Sequence, residues 1–148
     1  MPIPALDHEG FLPPGVHVCT MAELRERFGS FRGSDRRPVL FGRLQSLVDQ
    51  ARSSGLFCGV LVDGSFVTGV LAPNDIDVVL LFKPGHNFRA ELTPGQYGVV
   101  NAASLRRQFA FDVVLVEEGA DDYGEAVEFF QRVKQRPERK KGILRVNV

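Results

Sequence analysis

Three short aliphatic runs set the terms on which this chain can fold: LFCGVLV at 56–62, DIDVVLLF at 75–82 and FAFDVVLVE at 109–117. Each has the length of a strand rather than a helix and is rich in valine. A strand with one wet face alternates apolar and polar residues. These runs are apolar at nearly every position, so they predict strands covered on both faces and lying centrally in a sheet. Helical patterns interleave with them. An α/β or α+β sandwich, a mixed sheet packed against helices, follows.

The helical patterns carry their own punctuation. Thr20 and Glu23 form a capping box before MAELRERF, and Gly29 supplies the stop. DRRPVLFGRLQSLVDQARSSG places Val39, Leu40, Leu44, Leu47 and Val48 along one helical face and ends before Gly55, which suits a C-cap. NAASLRRQF reads as a helical turn capped by Asn101, and YGEAVEFFQRVKQR as an amphipathic helix whose Ala126, Val127, Phe130 and Val133 share a face. GILRVNV is expected to close the sheet as an edge strand. Residues 1–19, proline-rich and without periodicity, predict an extended arm laid on a single domain that spans 20–148.

Composition narrows the function. The chain has 148 residues, 44% of them hydrophobic, enough for one core, and no apolar stretch long enough to span a membrane. The first residues lack the basic-then-apolar pattern of a signal peptide, so a cytoplasmic protein is expected. Cys19 and Cys58 read as reduced thiols rather than a disulfide or metal framework. The 18 basic residues balance the 18 acidic ones, so no global field recruits nucleic acid. Two local clusters, RFGSFRGSDRR and RVKQRPERKK, read as solvated faces, with contact to a polyanion as the alternative. His8, His17 and His86 share no zinc spacing. There is neither a P-loop lysine motif nor a Gly-x-Gly-x-x-Gly turn.

The second run contains an anomaly that points to chemistry. Asp75 and Asp77 alternate with Ile76 and Val78, so in a strand both carboxylates face the same way. Two like charges in a half-buried place raise each other's pKa and cost stability unless a cation joins them. Mg²⁺ or Mn²⁺ suits oxygen ligands of this kind and leaves positions open for phosphate. Asp112 opens the third apolar run and can add a third carboxylate, which would allow a two-metal arrangement for phosphoryl transfer. Upstream, Gly64-Ser65 follows the first run. A residue without Cβ lets a phosphate approach the backbone, and the Ser65 hydroxyl can donate to it.

Gly64-Ser65, nine intervening residues and then Asp75-Ile76-Asp77-Val78 resemble the signature of the nucleotidyltransferase superfamily of the DNA polymerase β type. The resemblance covers 56 to about 117, and Asp112 matches the third carboxylate of that family by context. The segment LPPGVHVCTMAELRERFG is also similar to the start of a group of small uncharacterised bacterial proteins carrying this domain. Asp63 departs from the pattern, which has an apolar residue before the glycine, and stands either to perturb metal binding or to add a ligand.

The resemblance implies attack by an acceptor hydroxyl on the α-phosphate of a nucleoside triphosphate, with pyrophosphate leaving. Asp75 and Asp77 would hold the metal ions, Asp112 would ligate one and help activate the hydroxyl, and Gly64 and Ser65 would hold the outer phosphates. The acceptor implied is RNA or protein, and a cognate toxin or antitoxin protein is a possible partner. The competing expectation is a catalytically silent module of the same fold that binds nucleotide or a partner. Lys83, Arg106, Arg107, Lys140 and Lys141 are candidates for triphosphate contact.

Overall fold

The computed structural model describes residues 3–134 and 136–148. In chain order it runs β1 (Gly15–Cys19), α1 (Met21–Phe28), α2 (Arg36–Ser54), β2 (Phe57–Asp63), a 3₁₀ turn (Ser65–Val67), β3 (Asp77–Phe82), α3 (Pro94–Val99), α4 (Ala102–Phe109), β4 (Asp112–Glu117), α5 (Asp121–Phe130), β5 (Arg132–Val133), β6 (Arg136–Lys140) and β7 (Gly142–Asn147). Five strands form one mixed sheet in the order β1-β7-β2-β3-β4, and β5 pairs with β6 in a separate hairpin. The β1–β7 and β3–β4 pairs are parallel; β2 is antiparallel to both β7 and β3. The expected α+β architecture is what the chain adopts.

Both sheet faces are covered, which explains the unbroken apolar character of β2 and β3. On one face Val60, Val62, Val78 and Leu80 meet Leu24, Leu44, Leu47 and Leu105 of the helices. On the other, Leu61, Val79, Leu81 and Ile143 pack against Ala126, Val127 and Phe130 of α5. Residues of opposite parity on one strand thus serve two separate cores. No described helix is long and apolar enough to cross a membrane.

At several element ends the structure carries the caps that the sequence predicts. The Thr20 hydroxyl accepts from the Glu23 amide at 3.1 Å while the Glu23 carboxylate accepts from the Thr20 amide at 2.9 Å. Gly55 ends α2 at φ 71°, in the left-handed region glycine tolerates, and Asn101 caps α4 by accepting from the Ser104 amide at 3.1 Å.

Five expectations need correction. The N-terminal arm is more than an extended appendage: its last five residues are β1, paired with β7, and its Ile3 and Leu12 are buried. The sheet edge falls on β1, so β7 is an interior strand. A Cβ at Gly142 would collide with the Pro13 carbonyl, so the arm docks there because β7 opens with glycine. β4, expected to be central, is the other edge, and Val114 is 40% exposed. Finally, α5 stops at Phe130, and Val133 belongs to β5 rather than to its apolar face. Along α2, Val39 is exposed while Arg37 is buried, so the stripe runs Arg37, Leu40, Leu44, Leu47, Val48. The six-residue α3, capped by Thr93 and Gln96, is an element the sequence patterns above do not predict.

Candidate active site

The site is built where β2, β3 and β4 begin or end together. Asp63, last in β2, lies opposite Asp77, first in β3, and Asp77 lies opposite Asp112, first in β4. Partners directly across a ladder share a face, so the three aspartates form one row across three adjacent strands. That face is the one α5 covers, because Asp63 and Asp77 have the parity of Leu61 and Val79. Asp112 therefore does stand beside Asp77, as expected from its context.

Asp75 is not part of a regular strand. It sits in the approach to β3, and its carboxylate is fixed by the turn after β2. Its Oδ1 accepts from the Ser65 amide at 2.9 Å and from the Ser65 hydroxyl at 2.5 Å. The Ser65 Oγ accepts in turn from the amides of Asn74 and Asp75, at 3.0 and 3.2 Å. Phe66 donates its amide to the Asp75 carbonyl at 3.2 Å. The Gly64-Ser65 turn is expected to cradle a phosphate; in the structure the Ser65 amide and hydroxyl donate to Asp75. Gly64 has a structural reason of its own. At φ 91° a Cβ would lie 2.9 Å from the Asp75 carbonyl and 3.0 Å from the Asp77 amide, so only glycine lets the turn approach the aspartate segment.

Two arginines from the start of α2 hold the outside of this loop. Arg37 is buried, and its guanidinium donates to the carbonyls of Phe28 (3.1 Å), Phe66 (2.7 Å), Thr68 (2.7 Å) and Val70. Its charge lies 5.8 and 5.7 Å from the ring centres of Phe28 and Phe66. Arg36 donates to the carbonyls of Pro73 and Asn74, both at 2.9 Å. Part of the basic cluster read as a solvated face is thus internal scaffold for the Ser65–Asp75 loop. The second cluster is similarly occupied, since Arg136 pairs with Glu9, Arg139 with Asp7, Lys140 with Glu128 and Lys141 with Asp63.

Asp63, Ser65, Asp75 and Asp77 line a cavity of about 600 Å³. Phe129 and Phe130 at the end of α5, Val133, and the cationic Arg132 and Lys134 line it as well. The electrostatics differ from one carboxylate to the next. Burial pushes the Asp63 carboxyl up, against the pull of the contacting Lys141 ammonium. Burial also lifts Asp75, but its bonds from Ser65 overcome this and leave it below its ordinary value. Asp77 is pushed up to about 6, by burial first and then by Asp75, Asp63 and Asp112. Among the described residues no hydrogen bond or ion pair reaches the Asp77 carboxylate.

This donor set fits a divalent cation in a particular way. Asp75 and Asp77 offer carboxylate oxygens to the cavity, which suits Mg²⁺ or Mn²⁺, ions that take one or two carboxylates and complete their shell with water and phosphate. Among the described residues no three His, Cys, Asp or Glu side chains gather around one metal-sized point. Asp112 explains part of this. Its carboxylate meets the Arg106 Nε at 3.4 Å, outside the cavity lining. Arg106 is therefore an Asp112 partner, while Lys83 follows β3 at the end remote from Asp77.

Arg36, Arg37 and Lys141 are the site-shaping residues that sequence reasoning missed or left undefined. For Arg37 a signal existed: it falls on the apolar stripe of α2, where a cation must find buried acceptors. No curated protein and no solved structure matches the chain. A family model does, across residues 4–147, nearly the whole of the chain, and it shows that the protein belongs to DUF6932, a family of unknown function.

Proposed function

We propose that the protein is a metal-dependent nucleotidyltransferase that moves a nucleoside monophosphate from a nucleoside triphosphate to a hydroxyl on RNA or protein. One observation carries this reading: a Gly-Ser turn locks Asp75 beside Asp77, in a strand row with Asp112, at the floor of a cavity large enough for a nucleotide. Asp75 and Asp77 would hold Mg²⁺ or Mn²⁺. Bound there, the ion would supply charge neutralisation for the transferred phosphoryl group and its leaving pyrophosphate.

The chain's own residues do the rest by positioning. Ser65 keeps Asp75 aimed, so its role is orientation rather than direct phosphate contact. Arg132 and Lys134, which line the same cavity as the carboxylates, take the triphosphate role in place of the turn donors. Asp112, at the exposed edge, reaches an acceptor hydroxyl by exchanging its bond to Arg106. Catalysis of this kind depends on preorganised charge and alignment.

The test is transfer of label. The protein is incubated with each α-labelled nucleoside triphosphate, Mg²⁺ or Mn²⁺, and total RNA or cell lysate, beside Asp77→Ala. Labelled RNA or protein that falls by orders of magnitude in the variant supports the enzyme. A second reading is a catalytically silent nucleotide- or partner-binding module, in which Asp112 stays with Arg106 outside the cavity instead of joining Asp75 and Asp77. It prevails if metal-dependent nucleotide binding is measured without labelling of any acceptor. A cognate toxin or antitoxin protein remains the partner to be sought in that case.

A further inference from the structure

Among the described residues, the aspartate row has an ion-paired cation at each end and none paired with Asp77 in its middle. At the β4 end Arg106 lies against Asp112, with both side chains more than half exposed. At the β2 end Lys141 contacts Asp63, and here the side chains are only 12% and 7% exposed. Lys141 also donates to the Phe130 carbonyl at 3.1 Å, which ties it to the end of α5. An ammonium has three N–H donors, so one remains, and Lys141 is part of the cavity wall. For Asp63 to serve as a metal ligand this buried partner would have to leave, stranding two charges away from water.

We infer that Lys141 is the second cation of the site: Asp63 is committed to it, the centre takes a single divalent ion on Asp75 and Asp77, and the remaining Lys141 N–H serves a phosphate oxygen of the nucleotide. This rests on the nucleotide-and-metal reading of the site. It also settles the role of Asp63, whose place before Gly64 departs from the resembled pattern: it anchors a fixed positive charge where a second ion would otherwise sit.

The experiment is Mn²⁺ electron paramagnetic resonance on the full chain with α,β-methylene analogues of ATP and GTP, which cannot be cleaved at the α-phosphate. Two ions about 3.5 to 4 Å apart couple magnetically, whereas one ion gives an isolated hyperfine pattern. Wild type should show a single, uncoupled protein-bound ion. Lys141→Gln frees Asp63 opposite Asp77 and should show a coupled pair. A coupled pair in wild type overturns the inference and leaves the metal-site reading standing. No protein-bound Mn²⁺ with either analogue overturns both. A folded Lys141→Gln that still holds one uncoupled ion overturns the inference alone. Should that variant not fold, the charge-neutral double variant Asp63→Asn with Lys141→Gln decides: it should keep one ion and lose about tenfold or more in analogue affinity, and unchanged affinity rejects the role of Lys141.

Discussion

The two ends of the aspartate row are held in opposite ways. Asp63 ends a strand flanked by β7 and β3, so its carboxylate is shut away from water and needs a permanent counterion, which Lys141 provides. Asp112 begins an edge strand, where water solvates the charge and Arg106 adds only a loose contact at 3.4 Å. Position in the sheet therefore grades one row of like side chains from fixed to adjustable. Asp77, between them, is half-buried and has no ion-pair partner among the described residues; burial first, then Asp75, Asp63 and Asp112, push its carboxyl up to about 6 against the pull of Lys134. Under the proposed metal-dependent reading, the unmet charge in the middle is what would take the ion, and the fixed end is its scaffold.

The largest effect should come from breaking the fixed end. Asp63→Ala leaves the Lys141 ammonium buried without its carboxylate, and unfolding free energy should drop by about 3–5 kcal/mol. Neutralising both partners, Asp63→Asn with Lys141→Met, should restore most of that loss. Chemical denaturation of the three proteins measures it. If Asp63→Ala loses less than about 1 kcal/mol, the two ends are alike and the comparison collapses.

Next in size is Ser65→Ala. It removes a hydroxyl donor to an ionised carboxylate and the acceptor for the Asn74 and Asp75 amides, so stability should fall by about 1.5–3 kcal/mol. Because Ser65 aims Asp75, Mn²⁺ affinity should fall as well. Loss of triphosphate affinity with metal affinity intact would return Ser65 to a phosphate-contacting role.

The middle of the row is tested by pH. A folded-state carboxyl raised to about 6, above its ordinary 3.8, makes a stability contribution present below pH 4 and lost as pH rises through 6. The metal-free protein should accordingly lose about 1 kcal/mol from Asp77 across this window, after allowance for the solvent screening of a half-buried group. Asp77→Asn should lack that decline and be the more stable protein at pH 7. Thermal unfolding of both proteins from pH 4 to 8, without metal, gives the comparison; parallel curves would mean that Asp77 is not frustrated.

Legibility followed the range of the forces involved. β2, β3, α1, α2 and the spacing from Gly64 to Asp77 rest on local periodicity and caps, and were readable. So was Asp112, because a polar residue opening an apolar run marks a strand end. The pairing of β1 with β7 was not, since five residues after a proline-rich stretch reveal no partner far along the chain. The same holds for Lys141, one basic residue among several until β7 brings it to Asp63. The end of α5 misled because Val133 continues the helical period while β5–β6 pairing takes it into a hairpin. The Gly64-Ser65 motif marked a turn, but the group its donors meet in this structure, the Asp75 carboxylate, was not legible, because a sequence motif does not say which partner folding brings to it.

The smallest stability effect, and the sharpest separation of fold from function, belongs to Asp112. Its ion pair with Arg106 is exposed on both sides, so Asp112→Asn and Arg106→Ala should each change stability by no more than about 0.2–1 kcal/mol. If Asp112 serves the acceptor hydroxyl, transfer in Asp112→Asn should nevertheless fall by about 10² to 10⁴, the usual worth of a positioned acid or base, with triphosphate affinity little changed. Arg106→Ala should leave transfer intact or raise it, because it frees the carboxylate that Arg106 engages. Denaturation, nucleotide affinity and α-label transfer measured on the same two variants distinguish the cases. Transfer that survives Asp112→Asn would reduce the row to Asp63, Asp77 and their neighbour Asp75, and leave the edge carboxylate as surface charge.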